Sequence, residues 1–180
     1  MQEARELNPL AEPLFQDPDD LPLQSVGPFL FSFQACPPFN RFFFDLGWGC
    51  HWGVIVQAAT DLPTLSSHFR KFLKVHTDHG LELYFRFYDP RVLRIFLPTC
   101  DRSQLMDFFG PVRHFILEDE DRRYALKFSL QNGMLSTLRM SHAQVLEMYV
   151  SNEAEPPAGP PTPVEVRKTP PRKPGWDMFA

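Results

Sequence analysis

The sequence predicts a mixed α/β protein: a single sheet with packed helices, followed by a β-hairpin and a C-terminal helix. Three stretches carry this expectation. Leu81 to Tyr88 alternates, with Leu81, Leu83, Phe85 and Phe87 on one face and Glu82, Tyr84, Arg86 and Tyr88 on the other. Leu62 to about Val75 places Leu62, Leu65, Phe69, Phe72 and Leu73 on one stripe, the spacing of an amphipathic helix. Asn132-Gly133 sits between two strand-like runs, a short-range signal for a hairpin.

The other elements follow in order. Residues 1–27 contain Pro9, Pro13, Pro18 and Pro22 and an acidic patch at Asp17, Asp19 and Asp20, so they read as an irregular lead-in with a short helical turn at most. Pro28 to Gln34 reads as a buried strand closed by Pro37-Pro38, and Asn40 is placed to cap a short helix over Arg41 to Leu46. Trp48 and Trp52 flank a glycine-punctuated turn, after which Val54 to Ala59 reads as a strand. Asp61, Asp89, Asp101 and Ser141 each precede a helical pattern and are candidate N-caps, with Pro90 as the first helical residue after Asp89. Strands are expected at 113–117, 123–130 and 134–140, and a last helix from His142 to about Val150. From Asn152 onward eight prolines predict a disordered, polyproline-prone tail ending in Trp176 and Phe179. The chain therefore divides into a lead-in (1–27), one folded domain (28–151) and a tail (152–180).

Composition narrows the function. A net charge of −4 without any basic stripe argues against nucleic acid as a partner. The chain has no apolar segment near the ~20 residues that a transmembrane helix needs, nor an apolar leader after Met1, so no membrane role and a cytoplasmic location are expected. The cysteines Cys36, Cys50 and Cys100 are odd in number and widely spaced, which reads as buried free thiols in a reducing compartment rather than a disulfide or zinc framework. His76 and His79 lack further ligands, and Cys50-His51 lacks a third group, so neither a metal nor a cofactor nor a catalytic set is expected.

The segment Arg86-Phe87-Tyr88-Asp89-Pro90-Arg91-Val92-Leu93-Arg94 is the most specific in the chain. Arg86 and Arg91 can both approach Asp89, which lies at a strand-to-helix turn. A carboxylate held by two guanidinium groups and helix N-terminal amides stays ionised and rigid. Two readings stand: a structural clamp, or an arginine pair offered to a partner's carboxylates. Trp48 and Trp52 likewise fit either packing or an aromatic interface, and His68 reads as a satisfied residue at the boundary of its helix.

This block resembles the R-x-Y-D-P-R block of the effector chaperones and VgrG adaptors of bacterial type VI secretion. The resemblance extends to the upstream helix with His68, Phe69 and Arg70, to Phe109-Gly110-Pro111 and to Pro28-Phe29-Leu30. It implies a non-catalytic adaptor whose partners are a secreted effector protein and a VgrG-type spike protein. It makes Arg86, Tyr88, Asp89, Arg91, Arg94, His68, Arg70, Trp48 and Trp52 the candidate partner-binding or clamp residues. The competing expectations are an immunity or inhibitor protein that neutralises a toxin, and an enzyme using Arg86, Asp89 and Arg91 on an anionic substrate.

Overall fold

A computed structural model describes residues 2–16, 20–34, 36–77 and 79–150. The fold is mixed α/β, as the sequence predicts. It is built on a four-stranded antiparallel sheet in the order β3-β6-β7-β8, formed by Ile55–Ala58 (β3), Val112–Glu118 (β6), Tyr124–Gln131 (β7) and Met134–Ser141 (β8). The middle of β6, Phe115-Ile116-Leu117, is apolar on both sides because both of its faces are covered there. Phe115 and Leu117 enter a large core with α4 (Leu62–Arg70), α5 (Pro90–Phe96) and α6 (Arg102–Phe109). Ile116 points the other way, into a smaller core with Phe44 and with Val145 of α7 (His142–Val150).

Phenylalanine fills the larger core. Phe108 is fully buried, with ring centroids 5.1 Å from Phe72, 5.5 Å from Phe96 and 5.3 Å from Phe115. Burying each such side chain contributes about 1.5–3 kcal/mol, and edge-on ring pairs add to it. The abundance of Phe in the sequence is therefore largely the composition of one core.

Local chemistry sets the element ends. The Asp61 carboxylate accepts from the Thr64 amide at 2.9 Å and starts α4. Asp101 and Gln104 form a reciprocal capping box on α6, and Ser141 and Gln144 form the same arrangement at the start of α7. Asn132 and Gly133 turn β7 into β8 with φ of 54° and 76°, the left-handed pair that a two-residue hairpin needs.

The structure departs from expectation where a side-chain pattern lacked a partner. The run 81–88 is a strand only over Glu82–Tyr84 (β5), paired with Lys74–His76 (β4) in a separate two-stranded ribbon. Phe85 and Phe87 are buried, but Leu81 and Leu83 are 63% and 43% exposed because, among the described residues, no layer covers that end. β5 has a partner because the helix before β4 ends early, and it is as short as that partner. After Arg70 the chain tightens through Phe72 N–H to Phe69 O and Leu73 N–H to Arg70 O, then runs extended, so Val75 pairs with Leu83 instead of closing a helical turn. The expected strand at 28–34 is reduced to Phe29–Leu30 (β2), which pairs with Glu12–Pro13 (β1). Among the described residues the strands thus form one four-stranded sheet and two ribbons rather than a single sheet.

Asn40 is not a cap. The helix starts earlier, at Pro37 (α3, Pro37–Phe42), with Pro37-Pro38 in its first turn, and continues as a wide turn over Phe43–Gly47. Asn40 is buried inside it and donates from Nδ2 to the carbonyls of Phe33 (2.9 Å) and Tyr149 (3.0 Å). It thereby ties α3 to α7 across a long sequence gap. The lead-in is more regular than its prolines suggest, with helices at Gln2–Leu7 (α1) and Leu21–Gln24 (α2), and its Leu14 and Phe15 join the large core. Asp20 is buried and takes Lys74 Nζ at 3.1 Å. Asp17, Asp19 and the Pro-rich tail lie outside the described residues.

Gly110 ends α6 with φ 47° and ψ −113°, a backbone closed to other residues, and a Cβ there would fall 2.3 Å from the His68 ring. Gly110→Ala is expected to cost about 3 kcal/mol in urea unfolding. Gly80→Ala has a comparable positive φ but open space around it, and is expected to cost about 1 kcal/mol.

Candidate functional site

The Arg86–Arg94 block is built around a buried acid. Asp89 is 3% exposed and stands at the N-terminus of α5. Its Oδ1 accepts from the Arg91 backbone amide and Arg91 Nε, both at 3.0 Å, and its Oδ2 accepts from Arg91 Nη2 at 2.7 Å. Arg91 therefore grips the carboxylate with both prongs, and the backbone adds a third bond. Arg86 Nη2 stands off at 3.6 Å, with its side chain 60% exposed. The two arginines are thus unequal. Arg91 is committed to the clamp, and most of the Arg86 guanidinium faces solvent, with its carbon 5.9 Å from the centre of the Tyr88 ring.

The Arg91 side-chain hydrogen bonds hold the Asp89 carboxyl below the usual carboxylate range, helped by the backbone bond and opposed by burial. Charge, cap and geometry act together, since losing the carboxylate removes an N-cap and leaves a guanidinium without its partner.

The remaining sequence-predicted residues lie apart from the clamp. Arg94, on the same helix, reaches the Glu118 carbonyl at 3.4 Å and Glu120 at 3.3 Å. His68 is buried in α4, and its Nε2–H donates to the Phe108 carbonyl at 2.9 Å, since an imidazole facing a carbonyl must present a proton. Burial pushes its pKa down, so it works as a neutral strut between α4 and α6. Arg70 bonds Ser66 Oγ at 3.0 Å. Trp48 stacks on His142 at 4.9 Å and donates to the Arg122 carbonyl, which is a packing role. Trp52 is half exposed, against Phe42 at 5.5 Å.

Trp52 belongs to a cleft of about 1180 Å³ that sequence reasoning did not find. One wall is the outer strand of the sheet, β3, and the other is the run Phe29–Gln34, which begins with β2 and ends in a turn. Tyr149 closes one part, its hydroxyl bonded by Gln57 Nε2 at 2.7 Å, and burial raises its pKa to about 12. Arg86, Tyr88 and Arg113 also line the cleft. The exposed arm of the clamp therefore opens into an aromatic groove. Its traces in the sequence were Trp52, Arg86 and Tyr88, named singly as candidate partner-binding residues, and an excess of Phe that does not distinguish core rings from groove rings.

A second cluster was also missed. The buried Glu118 carboxylate accepts from the Gly49 amide and faces His51 Nδ1. Gly49 and His51 both have positive φ, so this acid holds the turn between the tryptophans. The third group that Cys50-His51 lacked in sequence is thus Glu118, in a holding role. Of the cysteines, Cys50 is exposed rather than buried, whereas burial of Cys100 pushes its thiol up to about 11. Among the described residues no group of His, Cys, Asp and Glu is placed to hold a metal ion, and no helix is long and apolar enough to cross a membrane.

A family described as a domain of unknown function, DUF4123, matches residues 2–107. The chain belongs to this family. The matched stretch takes in the lead-in, β3, α4 and the whole Arg86–Arg94 block, and stops before Phe109-Gly110-Pro111. DUF4123 is associated with adaptors of type VI secretion effectors. No curated protein and no solved structure matches the chain.

Asp89→Ala is expected to lower unfolding stability by about 2 kcal/mol, roughly half from the lost cap and half from the lost charged hydrogen bonds. Because the folded-state pKa is depressed, the contribution of Asp89 is complete above the ordinary carboxylate value and disappears as pH falls through the lowered one. Thermal unfolding followed from pH 7 to pH 3 is expected to show the gap between wild type and Asp89→Ala closing only at about pH 4 and below.

Proposed function

We propose that this DUF4123 protein is a non-catalytic adaptor that binds a type VI secretion effector in the bacterial cytoplasm and presents it to a VgrG-type spike. The observation that carries the reading is the family match enclosing the Arg86–Arg94 block. The geometry supports a binding role. A carrier needs a surface that can be desolvated by a protein partner, with aromatic and arginine side chains near its centre. The cleft supplies Trp52 and Tyr88 beside Arg86, on a wall held by Asp89 and Arg91.

In this reading the block has two parts with different duties. Asp89 and Arg91 fix the entry into α5, and Arg86 with Tyr88 meets the effector. Removing Arg91 leaves a buried carboxylate without its grip, so loss of binding in such a variant reports damage to the fold as readily as loss of a contact. Arg86 and Trp52 are the informative positions because both are at least half exposed and neither grips the Asp89 carboxylate as Arg91 does.

The test is co-expression of the tagged chain with the proteins encoded beside it. Recovery of an effector and a VgrG-type protein is expected, with Arg86→Glu and Trp52→Ala each lowering effector recovery by about tenfold, equivalent to ~1.4 kcal/mol, at unchanged melting temperature. Failure of the folded wild-type chain to retain either neighbour would sink the adaptor reading. Undiminished capture by both variants would move the binding surface away from the cleft.

A further inference from the structure

The cleft has a composition that matches a segment of the same chain. Its walls carry Phe31, Phe33, Phe43, Trp52, Tyr88 and Tyr149, a dense aromatic lining along an extended groove. Grooves of this kind recognise polyproline segments, which are extended before they bind and lose little entropy on docking. Beyond α7, after residues 151–155, the sequence reads Pro156-Pro157-Ala158-Gly159-Pro160-Pro161-Thr162-Pro163. Pro157, Pro160 and Pro163 recur at every third residue, the turn of a polyproline helix, and so fall on one face of it.

Position, hydrogen bonding and charge agree with this pairing. α7 ends at Val150, one residue beyond Tyr149 in the cleft wall, so Pro157 is separated from the groove by only a short tether. Such a tether gives an effective concentration on the order of millimolar, which makes even weak recognition count. A polyproline helix makes no internal hydrogen bonds, so its carbonyls need outside donors. The Trp52 indole is half exposed and makes no hydrogen bond among the described residues. Arg86 and Arg113 stand at the cleft with exposed guanidinium groups, and Glu153 and Glu155 precede the proline run, whereas Arg167 and Lys168 offset Glu165 after it. Asp61 also lines the cleft, but its carboxylate is engaged by the Thr64 amide.

We propose that the Pro156–Pro163 segment docks into the aromatic cleft of its own chain and occupies the surface until a partner displaces it. Occupancy shields the rings from water and from non-specific contacts. A protein partner then binds in competition with an intramolecular ligand, so affinity is lowered by the fraction of chains whose cleft is filled. The inference concerns the free chain and holds or fails whatever the partner is.

The test uses the full chain with p-benzoylphenylalanine in place of Ala158, irradiated at micromolar concentration and mapped by mass spectrometry. Crosslinks within one molecule to residues 29–34 and 52–58 are expected. Replacing Pro157, Pro160 and Pro163 by Gly in that chain is expected to lower their yield about tenfold. It is also expected to speed amide exchange several-fold in residues 52–58. Crosslinks scattered over the surface, crosslinks joining two molecules, or a yield and exchange rate indifferent to the prolines would each overturn the proposal. Effector capture by the triple glycine variant separates the two readings: retained capture with lost crosslinks is the expected pattern. Retained capture with crosslinks never seen removes only the tail's role.

Discussion

The buried Asp89 carboxylate is the constraint on which the region around the cleft depends. It ends the Phe85–Tyr88 run, starts α5 and binds Arg91 with both oxygens. A charge this deep is tolerable only when it is fully hydrogen-bonded. Once it is held, Phe85 and Phe87 on one side and Leu93 and Phe96 on the other are delivered to the same core. Arg86 and Tyr88, lying between buried residues, are left at the cleft. A turn that serves packing on its inner face thus presents charge and an aromatic ring on its outer one.

The cleft exists for a related reason. β3 is an outer strand, and the chain that passes it at Phe29–Gln34 pairs with β1 at Phe29–Leu30, not with β3, and is otherwise anchored by side chains. Asn8 Nδ2 donates to the Ser32 carbonyl at 2.8 Å, and Asn40 holds the Phe33 carbonyl while also reaching α7. Asparagine pillars keep this wall at a distance, and the space between fills with rings. Exposed sheet edges invite pairing, so a lined groove beside one needs an occupant, from this chain or another.

Elements whose signal is local were legible in the sequence. Asp61, Asp89, Asp101 and Ser141 all start helices, and Asn132-Gly133 makes its hairpin, because each depends on bonds within a few residues. Strand lengths were not, because a strand extends only as far as its partner. Alternation through Leu81 and Leu83 predicts a covered face, but among the described residues no layer lies there. The approach of Arg86 and Arg91 to Asp89 was visible from spacing. Their inequality was not, since it depends on distances of 3.6 Å and 2.7 Å set by the turn. Glu118 meets Gly49 and His51 from a strand far along the chain, and Asn40 bridges to Tyr149 over a similar gap. Nothing near any of these residues announces its partner.

The most direct test of the clamp is a double-mutant cycle on Asp89→Ala and Arg91→Ala, read by urea unfolding at pH 7 and at high and low salt. A pair made by a buried carboxylate and a two-pronged guanidinium predicts a coupling energy of about 1–2 kcal/mol that changes little with salt. Additive losses, agreeing within about 0.3 kcal/mol, would contradict it and return Arg91 to the pool of residues free to meet a partner.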